Sequence, residues 1–125
     1  METAGLARIS VVDDDESVRD SLPDLLRELG FASQAFPSAE AFLESDANDR
    51  TQCLILDIAM PGMSGPDLQR ELLRRKRRLP IIFITARADE TLRQRLLERG
   101  AVDCLFKPFS EAALLEAIHA ALRRR

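Results

Sequence analysis

The sequence has no hydrophobic run long enough to cross a membrane. Its apolar stretches, such as Ile81 to Ile84, span only a few residues, whereas a transmembrane helix needs about 20. The first ten residues, METAGLARIS, lack the basic segment that precedes the apolar part of a secretory signal. We therefore expect a cytoplasmic protein that does not bind membranes.

Cysteine and excess charge are also scarce. Only Cys53 and Cys104 occur, each inside an apolar run, which favours reduced, buried thiols over a disulfide or a metal site. The 18 lysines and arginines nearly balance the 21 aspartates and glutamates, for a net charge of −3. This imbalance is too weak for a general polyanion binder. The 125 residues suit one domain without a separate output domain.

Short apolar runs alternate with amphipathic stretches. The runs predict five strands, at residues 8–12, 31–36, 53–56, 80–84 and 102–106. Helices are predicted after each strand, the first with either a late start near Ser21 or a bend, because Pro23 lacks a backbone donor. The polar stretch 44–52 is predicted to be loop. Strands that are apolar on both faces indicate a parallel sheet covered by helices, a doubly wound α/β fold.

Polar side chains follow four of the five predicted strands. Asp13 and Asp14 come after the first strand, Asp57 after the third, Thr85 after the fourth and Lys107 after the fifth. Ligands of doubly wound sheets bind at this carboxyl edge. With the strand order 2-1-3-4-5 of flavodoxin-like sheets, the first and third strands are neighbours. The three aspartates are therefore expected to lie close together.

Such a cluster of carboxylates requires compensating positive charge, because like charges repel at short range. Lys107 supplies one charge and Mg²⁺ would supply two, which together balance Asp13, Asp14 and Asp57. The hydroxyl of Thr85 and the ammonium of Lys107 are donors suited to phosphoryl oxygens. The pattern predicts phosphoryl transfer to Asp57.

Four segments carry a resemblance to a known family. In chain order they are VVDDDE, LDIAMPGMSG, FITA and GAVDCLFKPF. The chain resembles, from end to end, a CheY-like receiver domain of two-component response regulators, closest to the FixJ-like subgroup. The resemblance implies a (βα)5 fold with strand order 2-1-3-4-5 and a single receiver domain over residues 1–125. Receivers of this subgroup usually precede a helix-turn-helix DNA-binding module.

The resemblance also implies roles for the residues of the site. Asp57 would accept a phosphoryl group from a phosphohistidine of a sensor histidine kinase, and the domain would assist its own phosphorylation and dephosphorylation without being an enzyme in the usual sense. The Mg²⁺ ligands would be Asp13, Asp14, Asp57 and the backbone carbonyl of Ala59. The phosphoryl oxygens would be held by Thr85, Lys107 and the backbone N–H groups of Ile58 and Ala86.

The same resemblance predicts how the signal spreads. Thr85 would move towards the phosphoryl group, and in the family an aromatic residue three positions before the lysine follows it. Here that position is Cys104, so we expect repacking around Cys104 and Phe106, which share a strand face. Dimerisation would use the fourth predicted helix, which Asp89 caps, and the fifth strand. DNA would be contacted only through an output domain outside this chain.

Other functions fit the residues less well. A phosphatase that forms an aspartyl phosphate needs an acid two residues after the nucleophile, where this chain has Ala59. A P-loop or dinucleotide-binding enzyme needs glycines in the first turn, which is acidic here. A phosphorylation-independent interaction module would not need Asp14, Asp57, Thr85 and Lys107. A freestanding receiver that docks onto a partner or relays phosphoryl groups is the alternative that stays open. The basic run 74–78 is interpreted as the solvated end of a helix.

Overall fold

A computed structural model describes residues 5–124 of the chain. Five parallel strands form one sheet in the order β2-β1-β3-β4-β5. The strands are β1 (Arg8–Val12), β2 (Ala32–Phe36), β3 (Cys53–Asp57), β4 (Ile81–Thr85) and β5 (Asp103–Phe106). The helices are α1 (Glu16–Glu28), α2 (Ala39–Glu44), α3 (Ala47–Arg50), α4 (Gly65–Arg74), α5 (Glu90–Glu98) and α6 (Glu111–Arg123). The predicted doubly wound fold and strand order are confirmed.

The helices bury the sheet on both faces. On one face, residues of β1 and β3 such as Val11 and Ile55 pack with Leu26 of α1 and Ile118 of α6. The other face packs against α2 to α5 through a second cluster that includes Phe83. The central strands β3 and β4 are buried along their whole length, which accounts for their continuous apolar sequence. Within the described residues, no helix has both the length and the apolar character of a membrane span.

The late start, one of the two alternatives for α1, was wrong, and so was the prediction of loop for residues 44–52. Helix α1 begins at Glu16 and not near Ser21, because Asp15 caps it by accepting a hydrogen bond from the Ser17 N–H. Pro23 lies inside this helix, with its ring buried. Residues 44–52 are not simply loop, since the short helix α3 occupies part of them.

Arginines contact the backbone of both edge strands. Arg27 of α1 donates from Nη2 to the carbonyl of Ser33 in β2 at 3.0 Å. Arg93 of α5 donates from Nε to the carbonyl of Cys104 in β5 at 3.2 Å and from Nη2 to Asp103 Oδ1 at 3.0 Å. The same Asp103 oxygen accepts from the Cys104 N–H at 2.7 Å. These contacts supply hydrogen-bond partners at the two open edges of the sheet.

Candidate functional site

Three carboxylates converge where β1 and β3 end. The two strands are paired, with Val12 opposite Leu56, so Asp13 and Asp57 come out level at the carboxyl edge. Carboxylate oxygens of Asp13, Asp14 and Asp57 lie within 4.8 Å of one another. Asp13 is fully buried, whereas Asp14 is exposed. The structure thus brings the three predicted aspartates into one cluster.

Lys107 reaches this cluster from the far edge of the sheet. Its Nζ lies 3.0 Å from Asp13 Oδ2 and 3.9 Å from Asp57 Oδ1. The backbone fixes the start of the side chain, because the Lys107 N–H donates to the Thr85 carbonyl at 2.7 Å. The following peptide bond to Pro108 is cis. A single ammonium therefore faces three carboxylates.

Burial and like charge act on Asp57 together. Its pKa is raised to about 7, first by burial and then by the neighbouring Asp13 charge, against the opposing attraction of Lys107. A hydrogen bond with Asp14 also raises the pKa. A further cation at this position would favour the ionised carboxylate, which is the nucleophilic form.

The cluster suits a hard divalent cation. Mg²⁺ binds oxygen ligands at about 2.0–2.1 Å and usually keeps several waters, so it needs only one or two carboxylates directly. The separation of at most 4.8 Å between the aspartate oxygens is close to the span of two ligands across such an ion. The excess of negative over positive charge points the same way. Asp13, Asp14 and Asp57 could therefore hold Mg²⁺ together with waters.

The remaining predicted residues lie around the cluster. Thr85 ends β4, one residue after Ile84, which pairs with Asp57. Its buried Oγ1 accepts from the Arg87 N–H at 3.1 Å. Ala86 and Ala59 are exposed just beyond β4 and β3. The Ile58 N–H, in contrast, already donates to the Ile84 carbonyl at 3.2 Å, so it could serve a phosphoryl oxygen only as a shared donor.

Cys104 lies on the sheet face that Thr85 also occupies. It is buried with Phe83 in the cluster beneath α2 to α5, and Phe106 packs against the same cluster. Thr85 and Phe106 are register partners of β4 and β5. Burial raises the pKa of the Cys104 thiol to about 11, as expected for a packing residue. A displacement of the Thr85 side chain would therefore act first on Phe106, its register partner.

Sequence reasoning missed the role of Gly65. A Cβ built at this first residue of α4 would lie 2.3 Å from the Asp57 carbonyl oxygen and 3.1 Å from Ile58 Cα. The Gly65 N–H donates to the Ile58 carbonyl at 2.9 Å. The motif MPGMSG indicated a turn, but the close approach of α4 to the Asp57 backbone depends on tertiary packing that this motif does not encode.

Comparisons with known proteins agree with this fold. The family described as "Response regulator receiver domain" matches residues 9–119. Nodulation protein W of Bradyrhizobium diazoefficiens is 46% identical over 98% of this chain and 54% of its own length. The crystal structure of FixJ-N, 39% identical, superposes with a TM-score of 0.87 over 95% of both chains. The response regulator StyR, 44% identical, gives 0.87 over 96% of this chain and 61% of its own.

The chain spans about half the length of the curated relatives it matches. The family match covers most of its described sheet and helices, from β1 into α6. Transcriptional regulatory protein FixJ of Rhizobium meliloti is 41% identical over 90% of this chain, which supports the predicted subgroup. This chain belongs to the response regulator receiver domains of two-component systems.

Proposed function

We propose that Asp57 is the phosphoacceptor of this receiver domain. An ionised oxygen of Asp57 attacks the phosphorus of a phosphohistidine on a sensor histidine kinase. The new P–O bond forms as the P–N bond breaks, and the electron pair returns to the imidazole, which takes up a proton. The product is an acyl phosphate on Asp57 and a free histidine on the kinase.

The other residues of the site would bind the divalent cation and the phosphoryl oxygens. Asp13, Asp14, Asp57 and the carbonyl of Ala59 would hold Mg²⁺, which when bound neutralises negative charge on the transferring group. Lys107 would turn from Asp13 and Asp57 to a phosphoryl oxygen. Thr85 and the Ala86 N–H would donate to the other oxygens, with Ile58 as a shared donor. No general base is required, because the nucleophile is already a carboxylate.

The position of Lys107 is the observation that carries this proposal. Lys107 follows β5 at the edge of the sheet, yet its ammonium lies 3.0 Å from Asp13 and 3.9 Å from Asp57 near the ends of β1 and β3. A purely structural ion pair would require one carboxylate, whereas this lysine faces a cluster that remains negatively charged. A divalent cation would offset this remaining negative charge, which would leave the Lys107 ammonium available to an incoming phosphoryl group.

Phosphorylation would change the face formed by α5 and β5. The movement of Thr85 would pass to Phe106 and Cys104, and the switched face would promote a homodimer or dock onto an output domain. Relatives of this chain include proteins named transcriptional regulators, which supports control of a DNA-binding domain in the remaining half of such a protein. A freestanding receiver acting by docking or phosphorelay would use the same switch.

Intact-mass measurement tests the proposal. The protein is incubated with acetyl phosphate and Mg²⁺, and we expect one phosphoryl adduct that is labile at alkaline pH and absent when EDTA replaces Mg²⁺. Asp57→Asn removes the nucleophile and should abolish the adduct. Asp46→Asn, at an exposed acid that caps nothing, is the matched control and should be phosphorylated normally. An adduct that persists in Asp57→Asn, or none on the wild type, would overturn the assignment.

A further inference from the structure

A cavity lies at the amino-terminal edge of the sheet, at the opposite edge from Asp57. Its volume is about 690 Å³, within the range of about 300–1,000 Å³ that is typical of small-molecule sites. Three segments line it: the end of α4 with the turn into β4, the turn after α5, and the end of α6. None of the roles proposed for the carboxyl edge involves these segments.

The lining of this cavity is strongly basic. Its cations are Lys76, Arg77, Arg78, Arg99 and Arg124, and no acid is present among the lining residues that the structure describes. Among the described residues, none of the five forms an ion pair, in contrast to Arg74 and Arg75, which both pair with Glu71. Arg74, Arg75, Lys76 and Arg78 are exposed, as expected of a solvated helix end, whereas Arg77 is half-buried. Arg77 Nη2 donates to the Asn48 carbonyl and Arg124 Nη1 to the Gly100 carbonyl. Lys76, Arg78 and Arg99 are the cavity cations whose side chains have no partner among residues 5–124, and an anion would relieve their mutual repulsion.

Lys76 occupies a backbone position that favours glycine. Helices α1 and α5 end with Gly30 and Gly100 at φ of +97° and +104°, and α4 ends in the same hydrogen-bonded motif with Lys76 at φ +61°. A non-glycine residue is disfavoured in this left-handed conformation. The sequence thus places a cation beside the cavity where the two comparable helices have glycine.

The floor of the cavity combines apolar residues with one buried amide. Leu72, Leu79, Pro80 and Ile81 line it. Gln69 also lines it and is only 3% exposed, and its Oε1 has no hydrogen-bond partner within residues 5–124. A carbonyl oxygen cannot bind a phosphate, but it can accept from an N–H of a planar ring. The lining therefore favours a ligand with an anionic part, an apolar body and an N–H donor.

We infer that this cavity binds a nucleotide. The phosphates lie among the cations of the three segments, since arginine forks match phosphate oxygens. The base lies on the apolar floor and donates an N–H to Gln69. This site shares no residue with the phosphoacceptor site, so either assignment can fail without the other.

Fluorescence titration with N-methylanthraniloyl-GTP provides the test, at an ionic strength of about 0.15 M. We expect saturable binding that unlabelled GTP competes away, and that the Asp57→Asn variant retains. The double variant Arg78→Gln, Arg99→Gln should lose about tenfold or more in affinity through lost phosphate contacts. Arg95→Gln removes an exposed cation of α5 outside the cavity and is the matched control, with affinity unchanged.

Two further variants make two distinctions. One shows whether a loss of affinity reflects loss of folding, and the other shows whether the base is recognised in addition to the phosphates. Lys76→Gly should weaken binding while the melting temperature stays equal or rises, because glycine suits the left-handed position. Gln69→Leu should weaken GTP binding but leave competition by inorganic triphosphate unchanged. Absence of saturable binding, or variants that bind like the wild type, would overturn the inference. Displacement of the probe by duplex DNA at equal phosphate concentration, with Gln69→Leu having no effect, would overturn it in favour of a nucleic-acid backbone surface.

Discussion

At the scale of single residues, burial and the neighbouring carboxylates destabilise the ionised form of Asp57. Its pKa of about 7 in the folded protein lies well above the value of about 3.9 of an unfolded aspartate. Folding therefore takes up a proton between these pH values, so this group makes the wild type less stable as the pH rises from about 4 to 7. Below about pH 4 the carboxyl is protonated in both states and the effect vanishes.

Asp57→Asn should accordingly stabilise the protein in EDTA. We expect the free energy of unfolding at about pH 8 to rise by about 1–2 kcal/mol, after allowance for solvent screening, and the gain to shrink towards about pH 4. Urea denaturation at both pH values measures it, with Asp46→Asn as a control that shows no such trend. Added Mg²⁺ should narrow the difference by stabilising the wild type alone. A gain that is independent of pH would contradict this explanation.

The two cysteines lie in separate packing clusters and should react slowly. Burial raises the pKa of Cys53 to about 12 and that of Cys104 to about 11, so little thiolate exists near neutral pH. Iodoacetamide at about pH 8 should alkylate both thiols roughly a hundredfold more slowly in the folded protein than in urea. Peptide mass spectrometry over time gives the two rates. Fast labelling of Cys104 in native conditions would show that β5 opens more easily than its packing indicates.

At the scale of elements, the sequence predicted the strands well and some helix limits poorly. The apolar runs end at polar or turn residues, so β1 matches its prediction and the other strands differ by only one or two residues. Helix α3 has four residues and no helical period to recognise. The start of α1 was misjudged because the cost of Pro23 was weighed without the cap at Asp15 and the burial of its ring. Packing outweighed local propensity there.

The contact between α4 and β3 links an element to the site. Gly65→Ala would drive a methyl group against the Asp57 carbonyl, and we expect a loss of about 2 kcal/mol or more in stability. Because the clash displaces the Asp57 backbone, phosphorylation by acetyl phosphate should also slow, as followed by intact mass.

Ser64→Ala is the matched control for Gly65→Ala. It removes the capping box of α4 at a cost of about 1 kcal/mol, without touching Asp57. We expect its phosphorylation rate to stay close to that of the wild type. Equal phosphorylation rates in Gly65→Ala and Ser64→Ala would show that the close approach of Gly65 does not affect the phosphoacceptor site.

At the scale of the whole molecule, the net charge of −3 conceals an uneven distribution. Carboxylates gather at the carboxyl edge of the sheet and arginines at the amino edge. The sequence could predict the first cluster, because strand order and strand ends determine which residues meet. It could not predict the second, because Arg99 and Arg124 come together with Lys76 only through the packing of three helices. Alternating strands and helices do not encode that packing.

Dimerisation is the response expected of the whole domain. With beryllium fluoride and Mg²⁺ as a phosphoryl mimic, we expect size-exclusion chromatography with light scattering to show a shift from monomer to dimer. Thr85→Ala should keep the acceptor but lose the coupling to Phe106, and so remain monomeric. A dimer of equal stability in Thr85→Ala would show that the signal leaves the site by another route.

The arginines on β2 and β5 restrict the form that such a dimer takes. A sheet that continues from one molecule into the next needs free carbonyl and amide groups along its outer strands. Here the Ser33 carbonyl accepts from Arg27, and the carbonyl and N–H of Cys104 are bound by Arg93 and Asp103 of the same chain. Strand-to-strand stacking into fibres must first break these contacts. Association through helix faces can leave these contacts in place, so we expect a dimer of this domain to pair through helices and not by extending the sheet.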